Sequence, residues 1–222
     1  MKTTSIISTA VVLLASATVA PAIVSTSINI NFSDLPAVSA PVYGQPGVIP
    51  DGYSGLDWAN FDYRPGKSHG LGPGFSKGTI SPSPNVAFNP AGGASIITSS
   101  SPIDLLSMYL TAGYVNGLVV EIEAFRNGVS APVFDQKFTL TTTAQDEILD
   151  ITDVNVIELK SLGTGALPVV RALDTTQNPL QNEFVLGGLS FDRTTRTPDG
   201  GSTLLLLSAA AGGLAWLRRK IS

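Results

Sequence analysis

The middle of the chain alternates hydrophobic and polar residues in short runs, and residues typical of turns separate these runs. Such alternation indicates β-strands, because successive side chains of a strand point to opposite faces. The clearest runs are Leu118–Phe125 and Val133–Thr142, which lie on either side of Asn127-Gly128. Since Asn-Gly readily adopts the backbone conformation of a hairpin turn, we expect these two runs to pair antiparallel. Further strands are predicted over Ser27–Phe32, Ala94–Thr98, Leu105–Thr111, Val154–Leu159 and Glu183–Phe191.

Residues 41–90 are rich in Gly, Pro, Ser, Asn and aromatic residues, a composition too apolar for disorder and too interrupted for long regular elements. We expect ordered loops and short strands there. Short strands at regular spacing, in a chain with 22 glycines and 15 prolines, predict an all-β fold. The predicted architecture is a β-sandwich of the jelly-roll type, in one domain over residues 23–194.

Both ends of the chain carry an apolar run without charge. At the N-terminus Lys2 precedes a run over Ile6–Ala20, and small residues suited to a signal peptidase follow it. This order is typical of a secretory signal peptide, so we predict a signal helix in residues 1–22 and a mature chain that starts at Ile23. The alternative is a retained membrane anchor, for which the run is short.

The C-terminal segment, residues 195–222, has three parts: a short polar motif (197–203), an uncharged stretch (200–217) and a basic end (218–220). The stretch is long enough to cross the hydrocarbon core of a membrane as a helix. We expect its tryptophan at the interface and the basic end in the cytoplasm. The motif contains Thr197, Pro198, Asp199, Gly200 and Gly201, the span contains Leu204, Leu207, Leu214 and Trp216, and the basic end is Arg218, Arg219 and Lys220.

This tail resembles the PEP-CTERM and VPDSG-CTERM sorting signals of Gram-negative bacteria, with Pro198-Asp199-Gly200-Gly201 at the Pro-containing motif and Thr197 where Val is usual. The resemblance implies export, an inner-membrane intermediate and recognition by an exosortase-type peptidase that cuts near the motif. It implies a mature protein at the cell surface or in the extracellular matrix. The alternative is a plain C-terminal anchor that is never cut, because the helix has the same properties in both cases.

Four pieces of the middle, Ile49–Phe61, Asn85–Asn89, Ile103–Ser107 and Phe125–Gly128, are similar to a pattern found in ectodomains that carry such tails. The resemblance implies a galactose-binding-like jelly roll that serves as a binding or structural module. The last predicted strand departs from the pattern, because Phe184–Leu189 has glycine where an acidic residue is usual. The resemblance therefore transfers no carboxylate role to this position.

Composition argues against several classes of function. The net charge of -4 and the pI of about 4.9 do not suit a nucleic-acid-binding surface, which needs concentrated basic residues. The chain has no cysteine, so disulfides and thiolate chemistry are excluded. The single histidine, His69, is predicted in an exposed loop, and Glu121 and Glu123 are expected on the solvent face of one strand. No catalytic residue is indicated, and we predict that the protein is not an enzyme.

An aromatic cluster in the loop-rich region is the candidate ligand site. It contains Tyr53, Trp58, Phe61 and Tyr63. We expect Trp58 and Phe61 in the core, where such rings close the end of a small sandwich. Tyr53 and Tyr63 are predicted to contact a sugar ring, which stacks on aromatic faces.

Calcium is the metal that the composition favours, because oxygen ligands are abundant. Asp34 follows the first predicted strand and Asp192 follows the last, so both would reach one structural ion if these strands are neighbours. The alternative is that both are ordinary turn or edge residues.

These observations predict an exported surface protein that binds extracellular polysaccharide or associates with the biofilm matrix. Its predicted partners are the membrane, a sorting peptidase and a polysaccharide. Two alternatives stay open. One is a structural matrix protein without a specific ligand, and the other is a surface hydrolase whose catalytic residues come from distant parts of the chain.

Overall fold

The computed structural model describes residues 23–36, 38, 45–68, 70–164 and 182–196. The predicted signal peptide (1–22), His69, and the sorting motif, membrane span and basic end (197–222) lie outside these residues. Residues Ser25–Thr194 form one compact unit. In the described part of the chain, no helix has the length and apolar character that crossing a membrane requires.

The prediction of an all-β fold is confirmed. The described residues form antiparallel strands joined by turns, two short 3₁₀ segments and one short helix, α1 (Pro73–Lys77). The strands are β1 (Ile23–Ile30), β2 (Gly47–Val48), β3 (Asp57–Ala59), β4 (Asp62–Pro65), β5 (Asn85–Phe88), β6 (Ser95–Ala112), β7 (Leu118–Phe125), β8 (Phe134–Leu140), β9 (Gln145–Thr164) and β10 (Phe184–Arg196).

All these strands belong to one hydrogen-bonded sheet with the order β2-β4-β5-β10-β6-β9-β7-β8. Outside this order, β1 pairs with β10 and β3 pairs with β6. The last of the described strands, β10, therefore lies in the interior of the sheet between β5 and β6, antiparallel to both. The division of this sheet into the two layers of a jelly roll stays a prediction.

The predicted hairpin is confirmed. β7 begins and ends at the predicted residues, and it pairs antiparallel with β8 from Leu118 opposite Leu140 to Ala124 opposite Phe134. In the connecting turn Gly128 has a φ of +75°, which a residue without a side chain adopts at low cost. Asn127-Gly128 therefore forms the hairpin turn, as the sequence predicts.

The two glutamates of β7 share one face, as predicted, and each side chain is 16% exposed. The ammonium of Lys160 on β9 contacts the carboxylates of Glu123 and Glu158. Lys137 on β8 lies 3.2 Å from Glu121. Such cross-strand pairs contribute at most about 1 kcal/mol each. The glutamates therefore belong to a charge network on the sheet surface.

Two of the predicted strands are one strand. The prediction of separate strands over Ala94–Thr98 and Leu105–Thr111 is wrong, because β6 runs without a break from Ser95 to Ala112. The polar residues 99–102 interrupt the apolar alternation. However, β9 pairs with both halves of β6, and register shifts between Thr98 and Ser107 take up the interruption. Pairing with a long neighbour thus preserves a strand where the side-chain pattern indicates a break.

Other strand boundaries also differ from the prediction. β1 ends at Ile30, and Phe32 then turns into the core with a φ of +61°. β9 extends the predicted Val154–Leu159 in both directions, and β10 extends the predicted last strand to Arg196. Between residues 45 and 90, the described residues form short strands and loops, as predicted, and also the short helix α1 and a 3₁₀ turn (Tyr53–Gly55), which were not predicted.

Alternation along β7 builds part of the core. Its inward side chains are completely buried. Burial of a Val, Leu or Ile side chain stabilises a fold by about 1.5–3 kcal/mol, so this strand fixes which face of the sheet turns inward. The four residues are Leu118, Val120, Ile122 and Ala124.

Trp58 and Phe61 lie in the core, as predicted, with 4% and 1% exposure. Their rings meet edge to face with centroids 5.3 Å apart, and Phe61 meets Phe184 in the same way at 6.1 Å. Edge-to-face pairs contribute about 0.5–1.5 kcal/mol beyond their buried area. These contacts attach the loop-rich region to the start of β10.

Candidate functional site

A cleft of about 480 Å³ lies over the part of the sheet where β10, β6 and β9 are adjacent. Opposed residues of antiparallel strands point to the same face, so each row across the three strands presents its side chains together. One row is Gly188, Tyr109 and Asp146, and the next is Ser190 and Ser107, with Ile148 beside them on β9. The other described lining residues are Asn29, Ile30, Asn31, Thr79, Ile80, Ser81 and Leu189.

Two glycines of β10 allow the walls of the cleft to approach its floor. A Cβ atom on Gly187 would lie 2.0 Å from the carbonyl oxygen of Gly78. A Cβ atom on Gly188 would lie 2.5 Å from the carbonyl oxygen of Ile30. Only glycine therefore permits β1 and the segment after α1 to pack so closely on β10. The resemblance leads one to expect a carboxylate at this Gly-Gly pair. Instead, the backbone of β1 and of the segment after α1 packs directly on the backbone of β10 here.

The cleft offers uncharged hydrogen-bonding groups. The hydroxyl oxygens of Ser107 and Ser190 lie 3.0 Å apart, and each hydroxyl keeps further hydrogen-bonding capacity. Asn29 of β1 and Asn31 just after it line the cleft, and Oδ1 of Asn31 already accepts the N–H of Ser33 at 3.1 Å. Thr79 and Ser81 also line it, and the Thr79 hydroxyl donates to the carbonyl oxygen of Ser76 at 2.8 Å. Several hydroxyl and amide side chains close together suit a ligand that itself carries many hydroxyl groups.

Asp146 is the only charged side chain among the described residues that line the cleft. It is exposed, and it lies directly opposite Tyr109, whose ring is half-buried. On the other side of Tyr109 the row continues with Gly188, which is buried against the carbonyl oxygen of Ile30. The neighbouring Gly187 leaves room for the ring, because a Cβ atom there would lie 2.9 Å from Cδ1 of Tyr109. The cleft therefore combines one aromatic ring, one carboxylate and several neutral polar groups.

Neither predicted ligand tyrosine lines this cleft. Tyr53 is half-buried, and its hydroxyl donates a hydrogen bond of 2.5 Å to Oδ1 of Asp34. Burial, followed by the hydrogen bond and the charge of Asp34, raises the pKa of Tyr53 far above its usual value. Tyr63 is 5% exposed, and its hydroxyl donates to the carbonyl oxygen of Pro36 at 3.1 Å. A sugar contact of either ring stays a prediction.

The two predicted calcium ligands have other neighbours in the structure. Asp34 accepts the Tyr53 hydroxyl. Asp192 lies opposite Asp104 on β6, and one of its carboxylate oxygens is buried without a hydrogen-bond partner. Asp104 itself accepts the backbone N–H of Asp153 at 2.7 Å. Within the described ranges, no group of three or more His, Cys, Asp or Glu residues is placed to hold a metal ion. Calcium binding stays a prediction.

A buried carboxyl group, Glu183, lies outside the cleft at the start of β10. It is 3% exposed, and its Oε1 accepts the backbone N–H of Ala91 at 3.2 Å. Burial raises the pKa of Glu183 to about 7, against the opposing effects of the Ala91 hydrogen bond and of the Arg64 charge. Asp62 adds to the increase. This residue titrates near neutral pH, and sequence analysis gave no signal for it.

The cleft was also missed from the sequence. One usable signal was present: Tyr109 lies between the apolar residues Met108 and Leu110. Both neighbours are completely buried, so alternation places Tyr109 on the opposite face of β6. The partners on β9 and β10 are distant in sequence, and strand pairing alone brings them to Tyr109.

No protein-family model matches the chain, and no curated protein matches it significantly. Among solved structures, CBM51 from Clostridium perfringens GH95 in complex with methyl-galactose has 11% sequence identity and a TM-score of 0.33. The match covers 74% of this chain and 99% of that one. TmCBM61 in complex with β-1,4-galactotriose has 6% identity and a TM-score of 0.32, over 67% of this chain and 95% of its own. Likeness at this level carries no argument about ligand or mechanism.

Proposed function

We propose that the domain is a non-catalytic carbohydrate-binding module and that the cleft over β10, β6 and β9 binds its ligand. The observation that carries the proposal is the row Gly188, Tyr109 and Asp146, in which a half-buried aromatic ring lies beside an exposed carboxylate and among neutral polar groups. The apolar face of a sugar ring packs on an aromatic ring, while its hydroxyls exchange hydrogen bonds with amide and hydroxyl side chains. Tyr109 is the stacking residue in this proposal.

The ligand class that suits this cleft is a neutral glycan. Recognition of a uronic acid or a sulfated sugar calls for Arg or Lys, and the described lining contains neither. Asp146 would repel such an anion, and the net charge of -4 adds to the repulsion at low ionic strength. A polysaccharide of neutral sugars carries no charge, so Asp146 does not repel it.

We further propose that the protein is exported and sorted to the cell surface or the extracellular matrix. The support comes from the sequence: a signal peptide in residues 1–22, and a tail in which the Pro198-Asp199 motif, the uncharged stretch and the basic end follow in the order of exosortase substrates. Intact mass spectrometry of protein from the surface fraction of its host tests this. A species that starts near Ile23 and ends near the motif is expected, whereas retention of the stretch up to Lys220 would leave a plain anchor.

Binding is tested on an array of neutral, uronic-acid and amino-sugar glycans. The probe is the full chain in a detergent without a sugar head group, since such a group would compete. We expect binding to neutral glycans, with Kd raised about tenfold or more in Y109A, as expected for loss of about 1.4 kcal/mol of ring contact. Y109F is the matched control, because it keeps the ring, and its Kd should stay within about threefold of the wild type.

Other results of the glycan-array experiment distinguish this proposal from the structural and hydrolase alternatives. D146N should leave neutral-glycan binding nearly unchanged and increase binding to uronic-acid glycans, because it removes the repulsive carboxylate. Binding that Y109A does not alter would place the ligand elsewhere. Absence of binding to every glycan favours a structural matrix protein, and turnover of any glycan by the wild type favours the hydrolase.

A further inference from the structure

β8 forms an edge of the sheet among the described strands, where it pairs with β7 only. Its central residues Asp135, Gln136 and Lys137 are exposed. An edge strand presents unpaired backbone N–H and C=O groups, and these groups accept a further strand when geometry and side chains permit. The side chains of β8 therefore decide which strand fits there.

The sequence of β8 is complementary to itself when reversed. It reads Phe134, Asp135, Gln136, Lys137 and Phe138. In an antiparallel pair of two β8 strands centred on Gln136, Asp135 of each copy lies opposite Lys137 of the other. Phe134 lies opposite Phe138 in the same way. Opposite charges and aromatic pairs are the cross-strand combinations that stabilise antiparallel sheets.

The charge pattern also selects one register. A shift of two residues in one direction places Asp135 opposite Asp135 of the second copy. A shift of two residues in the other direction places Lys137 opposite Lys137. Like charges directly opposite one another are unfavourable, so of these registers only the one centred on Gln136 is favourable at the two-fold axis.

Within one copy, the residue paired with Asp135 on the neighbouring strand is negatively charged. That residue is Glu123 on β7, and the ammonium of Lys160 contacts Glu123 and Glu158. Among the described residues Asp135 has no ion-pair partner. Lys137 is 59% exposed while it contacts Glu121, so its ammonium can also reach a second carboxylate. In the register centred on Gln136, Lys137 of a second copy would give Asp135 an ion-pair partner.

The aromatic residues support the same arrangement. Phe134 and Phe138 lie opposite Ala124 and Val120 of β7, which are completely buried, so they are on the core side of the sheet. Both rings pack against the core but are only partly buried. A second β8 would cover their exposed parts with Phe138 and Phe134 of its own. Gln136, which lies opposite the buried Ile122 and so is on the same face, would meet Gln136 of the second copy at the axis, where the two amide side chains can exchange hydrogen bonds.

We propose that the protein forms a two-fold homodimer through antiparallel pairing of β8 with β8 of a second copy. The proposal does not depend on carbohydrate binding. The dimer would carry two clefts on one continuous sheet, and two weak sites on one particle raise the apparent affinity for a repetitive polymer.

Charge reversal tests the dimer in the full chain, by analytical ultracentrifugation in detergent over a range of protein concentrations. D135K and K137D each create like-charge pairs across the axis, and each should raise the dimer Kd at least tenfold. The double variant D135K/K137D restores opposite charges in the same register, and its Kd should return to within about threefold of the wild type. D51K and K67D make the same charge changes at exposed turn positions away from β8 and should have no effect.

Thermal melts of each variant verify that it is folded, since Lys137 also contacts Glu121 within one copy. A wild type that stays monomeric throughout overturns the proposal. So does a dimer that persists unchanged in both single variants, because association would then use another surface, such as the apolar tail. Failure of the double variant to recover while it melts like the wild type would count against the proposed register.

Discussion

The hydroxyl of Tyr53 donates a hydrogen bond to the carboxylate of Asp34, and this contact joins two residues that the sequence predicts for separate ligands, a sugar and a calcium ion. The Tyr53 ring also stacks on Phe32, with centroids 6.0 Å apart. The pair therefore attaches the turn after β1 to the loop-rich region. Either ligand would have to compete with this hydrogen bond.

Removal of the Tyr53 hydroxyl should destabilise the protein. Y53F loses a hydrogen bond to a charged group, so we expect the free energy of unfolding to fall by about 1.5 kcal/mol. A double-mutant cycle with D34N in urea denaturation measures the coupling, expected at about 1 kcal/mol. Additive effects of the two substitutions would show that the bond contributes nothing. An increase of Tm in calcium relative to chelator that D34N abolishes would instead support the ion site.

Glu183 makes stability depend on pH. Its pKa of about 7 in the folded state lies above the ordinary value of 4.5. The folded state therefore binds the proton more tightly, so the stabilisation is complete below about pH 4.5 and is lost as pH rises through 7. The loss should reach about 1–2 kcal/mol after allowance for solvent screening.

The variant E183Q cannot ionise, and its stability should be flat over the same pH range apart from contributions of other groups. The carboxyl groups of Asp62 and Glu147 also have pKa values raised mainly by burial, so they form the background that E183Q retains. Urea denaturation of both proteins between pH 5 and about pH 8 measures the difference. Equal pH dependence in the two proteins would exclude Glu183 as the titrating group.

Substitution of Gly188 should disturb both stability and the cleft. In G188A the new methyl group meets the Ile30 carbonyl oxygen, a backbone atom that moves only if β1 moves. We expect a loss of about 2–3 kcal/mol in urea denaturation. G93A is the control, because its nearest neighbour is the amide nitrogen of the exposed Asn60 side chain, which can move at the cost of one hydrogen bond to the carbonyl oxygen of Ala94. A G188A protein as stable as G93A would mean that β1 is not held against β10.

Asn89 organises the entry of the chain into β10. It is completely buried, its Oδ1 accepts the N–H of Phe184 at 2.6 Å, and its Nδ2 donates to the carbonyl oxygen of Gly93 at 2.9 Å. N89A leaves both backbone groups without a partner and should cost about 2–4 kcal/mol. N116A removes one exposed hydrogen bond, to the N–H of Thr142, and should cost about 1 kcal/mol or less. Comparable losses in the two variants would contradict the structural role of Asn89.

Sequence patterns predicted the parts of the fold that local chemistry determines. The β7–β8 hairpin follows from strict alternation on both sides of an Asn-Gly turn, and the pattern gave the bounds of β7. The continuity of β6 was not predictable, because residues 99–102, three serines and a proline, interrupt its alternation. The strand continues because β9, a partner about fifty residues later in the chain, pairs with β6 on both sides of this interruption. Long-range pairing decides such cases, and a side-chain pattern does not contain it.

The candidate site was less predictable than the fold. Aromatic residues close together in sequence, such as Tyr53 and Tyr63, drew attention, but each has its hydroxyl bonded within the protein. The cleft instead depends on Tyr109, Asp146 and Gly188, which belong to three strands far apart in the sequence. Their register fixes the site, and register is set by the packing of the whole sheet.

The position of β10 bears on how the chain folds. Ribosomes make this strand after all the other strands, yet it lies between β5 and β6. Until it emerges, both neighbours have open edges and the sheet has a gap. Folding is therefore postponed until nearly the whole chain has been synthesised. If the protein is exported as proposed above, this delay keeps the chain unfolded while a translocase threads it across the membrane. A chain truncated before residue 184 should remain as an aggregation-prone intermediate with two unsatisfied edges.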